Sequence, residues 1–152
     1  MIDPGNLPLI TVGDVSVTEG NSGTTNAVFT VSLSRAATKI VTVNYATSDG
    51  TALAGPDYTS TSGTLTIPIG GSSGTITVPV TTDTTSELPE TFALTLSGGG
   101  NYLSTGSDLA AIGTILDDDF LTQTWSFVTS TDYIYDANFV DLTSGTKAAL
   151  KT

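Results

Sequence analysis

"AVFTVSLS", residues 27–34, has a large apolar side chain at every second position from Phe29 onward. Phe29, Val31 and Leu33 therefore share one face of an extended strand, and mostly polar side chains occupy the other face. "ETFALTLS", residues 90–97, repeats the pattern with its own Phe and two Leu residues. Each stretch predicts a strand with one buried and one solvated face, as in an antiparallel β-sandwich.

Similar segments recur along most of the chain and are separated by clusters of Gly, Ser, Asp and Asn. About seven such short strands in about 110 residues are typical of an immunoglobulin-like or fibronectin-like sandwich. No segment has the 3.6-residue apolar stripe of a helix, so the predicted fold class is all-β. The predicted strands span residues 10–18, 27–33, 40–46, 63–67, 75–81, 91–97 and 110–116.

The charge of the chain narrows the classes of partner. Its formal net charge is -11, with four Lys and Arg residues against 15 Asp and Glu residues. We therefore do not expect the chain to bind nucleic acid or an anionic membrane surface, because charge attraction to either requires positive charge on the protein. The chain contains no Cys and no His, which removes disulfides, structural zinc and thiol or Ser-His catalysis. Carboxylate and hydroxyl oxygens remain, and they suit hard cations such as Ca²⁺.

No apolar run is long enough to span a bilayer, and the start "MIDPGNLPLI" lacks the basic and apolar regions of a signal peptide. We therefore expect no membrane insertion, and no targeting signal is visible in this chain.

Most of the acidic residues lie at strand ends or in the loops beside them. In a sandwich, strand ends separated by an even number of strands meet at the same end, so these carboxylates are expected to converge. Ca²⁺ takes six to eight oxygen ligands and would neutralise their mutual repulsion. The motifs concerned are "TEG", "SDGTALAGPDY", "TTDTTSELPETF" and "ILDDDF".

These motifs, in this order, resemble the Calx-beta domain of sodium–calcium exchangers, an integrin β subunit and bacterial extracellular proteins. The resemblance covers residues 9–120 and is strongest in "DGTALAGPDY", "ELPETF" and the closing "DDD". It implies a seven-stranded sandwich that binds Ca²⁺ at one end.

Carried over position by position, the resemblance implies a set of metal ligands from four loops. One departure is Thr82, where calcium-sensing members often have an acid; its loss implies about one to three ions rather than four. Glu90 is either a ligand or a residue that holds its loop. The implied ligands are Glu19, Asp57, Asp83, Glu87, Glu90, Asp117, Asp118 and Asp119.

Three further residues near these motifs have structural interpretations. Asp49 precedes Gly50, and an Asp-Gly pair is most often a turn former. Tyr58 and Phe92 are predicted to pack in the core beneath the acidic loops. Few aromatic side chains other than Tyr58 fall in those loops, which argues against a glycosidase groove and for a non-enzymatic protein.

The chain divides into three predicted parts. Residues 1–8 form an N-terminal tail, 9–120 the sandwich, and 121–152 a strand-rich extension. Strand-like pieces around 125–128, 133–135 and 139–142 are too short to make a core alone. They either dock on the sandwich, begin a further β domain, or donate a strand to a neighbouring copy.

These observations lead to three functional hypotheses. The first is a non-enzymatic calcium-binding structural module of an extracellular, bacterial surface or adhesin protein, in which Ca²⁺ rigidifies one end of the sandwich. The second is a subunit of an extracellular filament, assembled head to tail by strand donation between copies of the chain. The third is a calcium sensor. The expected partners are Ca²⁺, further copies of the chain and neighbouring β domains.

Overall fold

The computed structural model describes residues 6–119, which form two β-sheets. This confirms the predicted all-β class, although the described residues contain nine strands rather than seven. The strands are β1 (Leu9–Val12), β2 (Val15–Thr18), β3 (Thr24–Leu33), β4 (Val41–Asp49), β5 (Ser62–Ile67), β6 (Ser73–Thr81), β7 (Glu90–Gly100), β8 (Leu103–Asp108) and β9 (Ala110–Leu116).

The strand orders are β6-β3-β1-β8 in a four-stranded sheet and β2-β9-β7-β4-β5 in a five-stranded sheet. Most neighbours are antiparallel, but β1 pairs with β8 and β2 with β9 in parallel. The inward side chains of both sheets form one hydrophobic core. The predicted buried face of residues 27–34 is confirmed, since Phe29, Val31 and Leu33 are all buried.

The prediction of one strand over residues 10–18 is wrong, because the chain changes sheets within it. β1 pairs with β3 in the four-stranded sheet, whereas β2 pairs with β9 in the other. Gly13 and Asp14 make the crossing, and the Asp14 carboxylate accepts a 2.7 Å hydrogen bond from the Ile112 amide of the second sheet. The apolar residues fall at positions 10 and 12 before the crossing and at 15 and 17 after it. The alternation therefore shifts by one position at Gly13 and Asp14, where the chain changes sheets.

Strand β8 was not predicted, because "LSTGSD" lacks alternating apolar residues and lies at a sheet edge. β7 also continues past residue 97 to Gly100, and Asn101 turns the chain with a φ of 65°. Gly99 is required there, since its φ is +86° and a Cβ atom would lie 2.0 Å from the Thr42 carbonyl oxygen. The Gly-rich run therefore belongs to a strand and its turn.

One end of the sandwich gathers the acidic loops, and we call it the acidic pole. It consists of loops 19–23, 50–61 and 82–89 together with residues 117–119. β2 and β9 both end there, because they run parallel with Thr18 opposite Leu116. β3 begins and β6 ends there, since Thr24 pairs with Thr81. The sheet pairing thus brings together loops that are far apart in the sequence.

Two predictions concern residues outside the described range: the strand-like pieces after residue 120 and the first residues of the N-terminal tail. The boundaries of the tail, sandwich and extension remain predictions. Within residues 6–119, no helix has the length and apolar character needed to cross a membrane.

Candidate metal centre

Three predicted ligands form a cluster that we call the inner group: Glu19, Asp117 and Asp119. One carboxylate oxygen from each lies within 4.8 Å of the others. The parallel pairing of β2 with β9 places the first two side by side, and the Glu19 amide donates a 3.0 Å hydrogen bond to the Leu116 carbonyl. This backbone pairing fixes the spacing of Glu19 and Asp117 at the ends of the two strands.

Glu19 is the most unusual member of the inner group because only 4% of its surface is exposed. Among residues 6–119, its Oε1 atom and the Oδ2 atom of Asp119 are buried without a hydrogen-bond partner. Burial, and after it the charges of Asp83, Asp117, Glu87 and Asp119, raise the pKa of Glu19 to about 7. An unpaired buried carboxylate is costly, and a cation bound beside it would offset that cost.

Asp117 has the opposite electrostatic environment. Its carboxylate accepts 2.8 Å hydrogen bonds from the amides of Asp119 and Glu87, and these donors lower its pKa. Burial, followed by the charges of Asp117 and Asp118, raises the pKa of Asp119. The Asp117 carboxylate is thus favoured in its ionised form and held in position by two backbone amides.

The second cluster, which we call the outer group, contains Asp57, Glu87 and Glu90, again with one oxygen from each within 4.8 Å. Its members are half-buried or exposed. Burial is the largest cause of the raised pKa of both glutamates; for Glu90 the next cause is its hydrogen bond with Asp57, and for Glu87 it is the charge of Asp83. The outer group is therefore more accessible than the inner group.

The two remaining predicted ligands, Asp83 and Asp118, lie at the acidic pole but in neither group. Asp83 accepts a 2.6 Å hydrogen bond from the Thr85 amide, and its charge raises the pKa of both Glu19 and Glu87. Asp118 accepts a 3.0 Å hydrogen bond from the Gly20 amide. The structure therefore brings six of the eight predicted residues into two groups, and the role of each as a ligand remains a prediction.

Two polar contacts at the pole were not anticipated. The side-chain amide of Asn21 donates a hydrogen bond to the Asp119 carboxylate, which links the first acidic loop to the end of β9. Thr82, in place of an acid, donates a 3.0 Å hydrogen bond from its hydroxyl to the Gly23 carbonyl. The only sequence signal for Asn21 was its place directly after "TEG". Thr82 therefore has a structural role between two loops.

The predicted packing roles of Tyr58 and Phe92 are confirmed. Both are 1% exposed, and their rings stack with centroids 4.5 Å apart and an interplanar angle of 15°. Phe29 meets Phe92 edge to face at 5.9 Å. Tyr58 directly follows Asp57 and Phe92 lies two residues after Glu90, so the aromatic cluster adjoins two members of the outer group.

The raised pKa of Glu19 predicts how the calcium-free protein responds to pH. Its carboxyl group ionises near pH 4.5 when unfolded and near pH 7 when folded. Glu19 therefore contributes its full stabilisation of the folded state below the pKa of the unfolded chain, and this contribution is lost as pH rises through the pKa of the folded protein. In urea titrations with EDTA, we expect the free energy of unfolding to be on the order of 2–3 kcal/mol greater at about pH 5 than at about pH 8.

Glu19→Gln is the control for this pH dependence, since it keeps the shape and removes the titrating group. The variant should lose most of the difference between the two pH values. A parent protein whose stability rises from pH 5 to pH 8 under EDTA would contradict the prediction.

Comparison with known proteins identifies the family. A family model of the Calx-beta domain matches residues 10–119. A search of curated proteins found no significant match. Among solved structures, the apo form of the Calx CBD1 domain is 28% identical with a TM-score of 0.57, and the match covers 73% of this chain and 99% of that one.

Two further structures belong to the same comparison. The calcium binding domain CBD12 of CALX1.1 is 28% identical with a TM-score of 0.63, and the match covers 72% of this chain but only 46% of that one. The Calx CBD2 domain, at 16% identity and a TM-score of 0.59, covers 72% of this chain and 86% of its own and shows the fold alone. Because the family model spans well over half of the sequence, the resemblance is confirmed and the chain belongs to the Calx-beta family.

Proposed function

We propose that this chain is a non-enzymatic calcium-binding structural module whose acidic pole holds Ca²⁺. The observation that carries the proposal is the buried Glu19 carboxylate, which has an unpartnered oxygen beside two further carboxylates. A hydrophobic environment would keep such a group protonated, and clustering with other acids adds repulsion. Bound Ca²⁺ would relieve both costs at once.

The donor chemistry supports calcium over other metals. The chain has no Cys and no His, so its ligands are oxygens. Ca²⁺ accepts six to eight oxygens in flexible geometry, which suits carboxylates from separate loops, whereas Mg²⁺ requires a smaller octahedral set. A solved relative with 28% identity is described as a calcium binding domain. These points favour Ca²⁺ as the resident ion.

The two groups support an ion number within the expected range of one to three. The inner and outer groups would each hold one ion, and Asp83 and Asp118 would supply further ligands. Both groups are joined by the hydrogen bond from the Glu87 amide to Asp117. Binding at one group therefore constrains a residue of the other.

In this proposal calcium stiffens the module. The ligands come from four loops that the described structure otherwise joins by scattered hydrogen bonds, and the chain has no disulfide to join them. A single ion bound by several loops would replace that crosslink. Thr82, which bonds the Gly23 carbonyl, contributes no charge to the pole, and this favours a structural module over a high-affinity sensor.

We propose an extracellular surface, in a bacterial adhesin or similar protein, as the setting. Extracellular calcium modules have dissociation constants of about 10⁻⁴–10⁻³ M and remain loaded there. Assembly of a filament by strand donation, through residues after Phe120 or before Ile10, stays a prediction. Deleting the chain from Thr122 onward and comparing particle lengths by electron microscopy would test it, and intact filaments would exclude donation by that segment.

The proposal is tested by calorimetric titration of the calcium-free protein with Ca²⁺. Glu19→Gln removes one charge from the inner group at constant size, and we expect it to lower the affinity of one ion at least about tenfold. Asp108→Asn is the matched control, because Asp108 is exposed and lies on β8 outside the acidic pole. It should bind as the parent does.

Two results would overturn the proposal. One is a parent protein that shows no heat of binding and no change in stability with millimolar Ca²⁺. The other is equal calcium affinity in Glu19→Gln and in the parent, which would exclude the inner group as a site.

A further inference from the structure

The loop that carries Asp57 to the outer group is held against both sheets. On one side, the Ala52 amide donates a 2.9 Å hydrogen bond to the Thr91 carbonyl, and the Thr91 amide donates a 2.8 Å bond to the Thr51 hydroxyl. Thr91 directly follows Glu90, another member of the outer group. These hydrogen bonds therefore fix this side of the loop next to Glu90.

Gly50 is what permits this close approach. A Cβ atom at this position would lie 2.4 Å from the Thr91 carbonyl oxygen, well inside van der Waals contact. On the other side of the loop, the Thr81 amide donates a 2.9 Å hydrogen bond to the Asp57 carbonyl. The loop thus bridges β7 and β6.

Asp49 closes this loop from within. Its Oδ1 atom accepts two hydrogen bonds, at 2.9 Å from the Ala54 amide and at 2.7 Å from the Tyr58 hydroxyl. Tyr58 is a rigid donor, since it is 1% exposed and stacked on Phe92. Burial, followed by the hydrogen bond to Asp49, raises the pKa of Tyr58 to about 12, so the hydroxyl remains a donor.

The Asp57 carboxylate is oriented by the residue that directly precedes Ala54, one of the two residues that Asp49 holds. The Leu53 amide, adjacent to Ala54, donates a 2.6 Å hydrogen bond to Asp57 Oδ2. The Asp57 amide returns a 3.1 Å bond to the Leu53 carbonyl. Any displacement of Ala54 would therefore move the amide that fixes the Asp57 carboxylate.

We propose that Asp49 is a positioning residue for calcium at the outer group: its single acceptor oxygen, held by Tyr58 and Ala54, sets the loop that presents Asp57. Asp49 belongs to neither carboxylate group, so it acts through the loop. The inference rests on the proposed calcium function and deepens it, because it separates a structural carboxylate from the ligand carboxylates around it.

Since both hydrogen bonds end on one oxygen, three variants separate geometry from charge. Asp49→Asn keeps the acceptor oxygen and removes the charge. Asp49→Ala removes both. Tyr58→Phe keeps the ring stack on Phe92 and removes the hydroxyl donor. Asp108→Asn again serves as the control outside the acidic pole.

Calcium titration by calorimetry is the first measurement. Two reference variants assign the ions: the outer-group ion is the one weakened by Glu87→Gln, and the inner-group ion is the one weakened by Glu19→Gln. In Asp49→Ala, we expect the affinity of the outer-group ion to fall about 10- to 100-fold, while the inner-group ion keeps its affinity. Tyr58→Phe should weaken the same ion by a smaller factor. Asp49→Asn should bind within about threefold of the parent, since hydrogen bonding is what positions Asp57.

Amide hydrogen exchange in EDTA is the second measurement and needs no bound ion. The Ala54 amide should exchange at least about tenfold faster in Asp49→Ala than in the parent and Asp49→Asn, because it loses its acceptor. The exchange rate of the Ala54 amide is compared with the rates of core amides in the same variant. This comparison separates local opening of the loop from a lower overall stability of Asp49→Ala.

The outcomes are distinct. Equal calcium binding in Asp49→Ala and the parent would overturn the positioning role and leave the proposed function standing. Asp49→Asn as weak as Asp49→Ala would show that charge rather than hydrogen bonding matters, which also overturns it. A parent that binds no calcium would overturn both proposals, whereas loss of both ions in Asp49→Ala would show a general loss of structure and contradict a role confined to the outer group.

Discussion

Removal of calcium with EDTA is expected to lower the melting temperature of this protein by at least about 10 °C relative to the calcium-saturated form. An ion present at about 100 times its dissociation constant stabilises the folded state by about 2.7 kcal/mol. For a domain of about 110 residues, each kcal/mol corresponds to roughly 4 °C. The buried Glu19 carboxylate makes this module depend on the ion more than an exposed acidic loop would.

Calorimetric scans with Ca²⁺ at about 100 times its dissociation constant, on the order of 10–100 mM for an extracellular module, with equal Mg²⁺ and with EDTA would measure this shift. Mg²⁺ is the control, because it binds poorly to large, flexible sets of carboxylates and should restore little of the stability. Glu19→Gln should show a smaller calcium-dependent shift and a higher melting temperature in EDTA than the parent. An identical melting temperature in Ca²⁺ and EDTA would contradict calcium as the crosslink of the acidic pole.

Replacing Phe92 by Ala is expected to lower the free energy of unfolding by about 3–5 kcal/mol, the largest effect of any substitution proposed here. The ring is fully buried, packs on Phe29 and stacks on Tyr58. Gly113 on β9 leaves the space it occupies, since a Cβ atom there would lie 2.4 Å from the ring. Removing the ring therefore opens a cavity that these neighbours would fill only partly.

Urea denaturation in calcium-saturated buffer would measure the loss, with Phe92→Leu as the control. Leu fills much of the same volume and should cost less than half as much. Phe92→Ala should also weaken calcium binding at the outer group, because Tyr58 loses the surface on which it stacks. A loss under about 1 kcal/mol would show that the aromatic cluster does not support the pole.

Strand positions were largely predictable from the sequence where burial alternates. Residues 27–33 lie within β3 and 91–97 within β7, because one face of each strand meets the core. The prediction failed where the bounds of a strand depend on which strand it pairs with rather than on alternating burial. β1 and β2 were predicted as one strand, although the apolar alternation shifts by one position between them, and they belong to different sheets. β8 is set by pairing with β1 at a sheet edge.

The candidate site shows the same division. The motifs identified the eight acidic residues, and the register of β2 with β9 explains why Glu19 and Asp117 meet. That Glu19 is buried, and that Asp83 and Asp118 fall in neither group, was not readable from spacing. The burial of Glu19 and the positions of Asp83 and Asp118 both depend on how far each loop folds over the ends of the sheets.

The all-β class, the Calx-beta resemblance and an acidic end could be predicted from the sequence alone, because alternation, turn residues and motif order are local properties of the chain. Which carboxylates share a site, and which of them support the loops as Asp49 does, became visible only in the folded protein. Desolvation and hydrogen bonding at each carboxylate depend on neighbours far away in sequence, and a linear pattern of acids does not specify those neighbours.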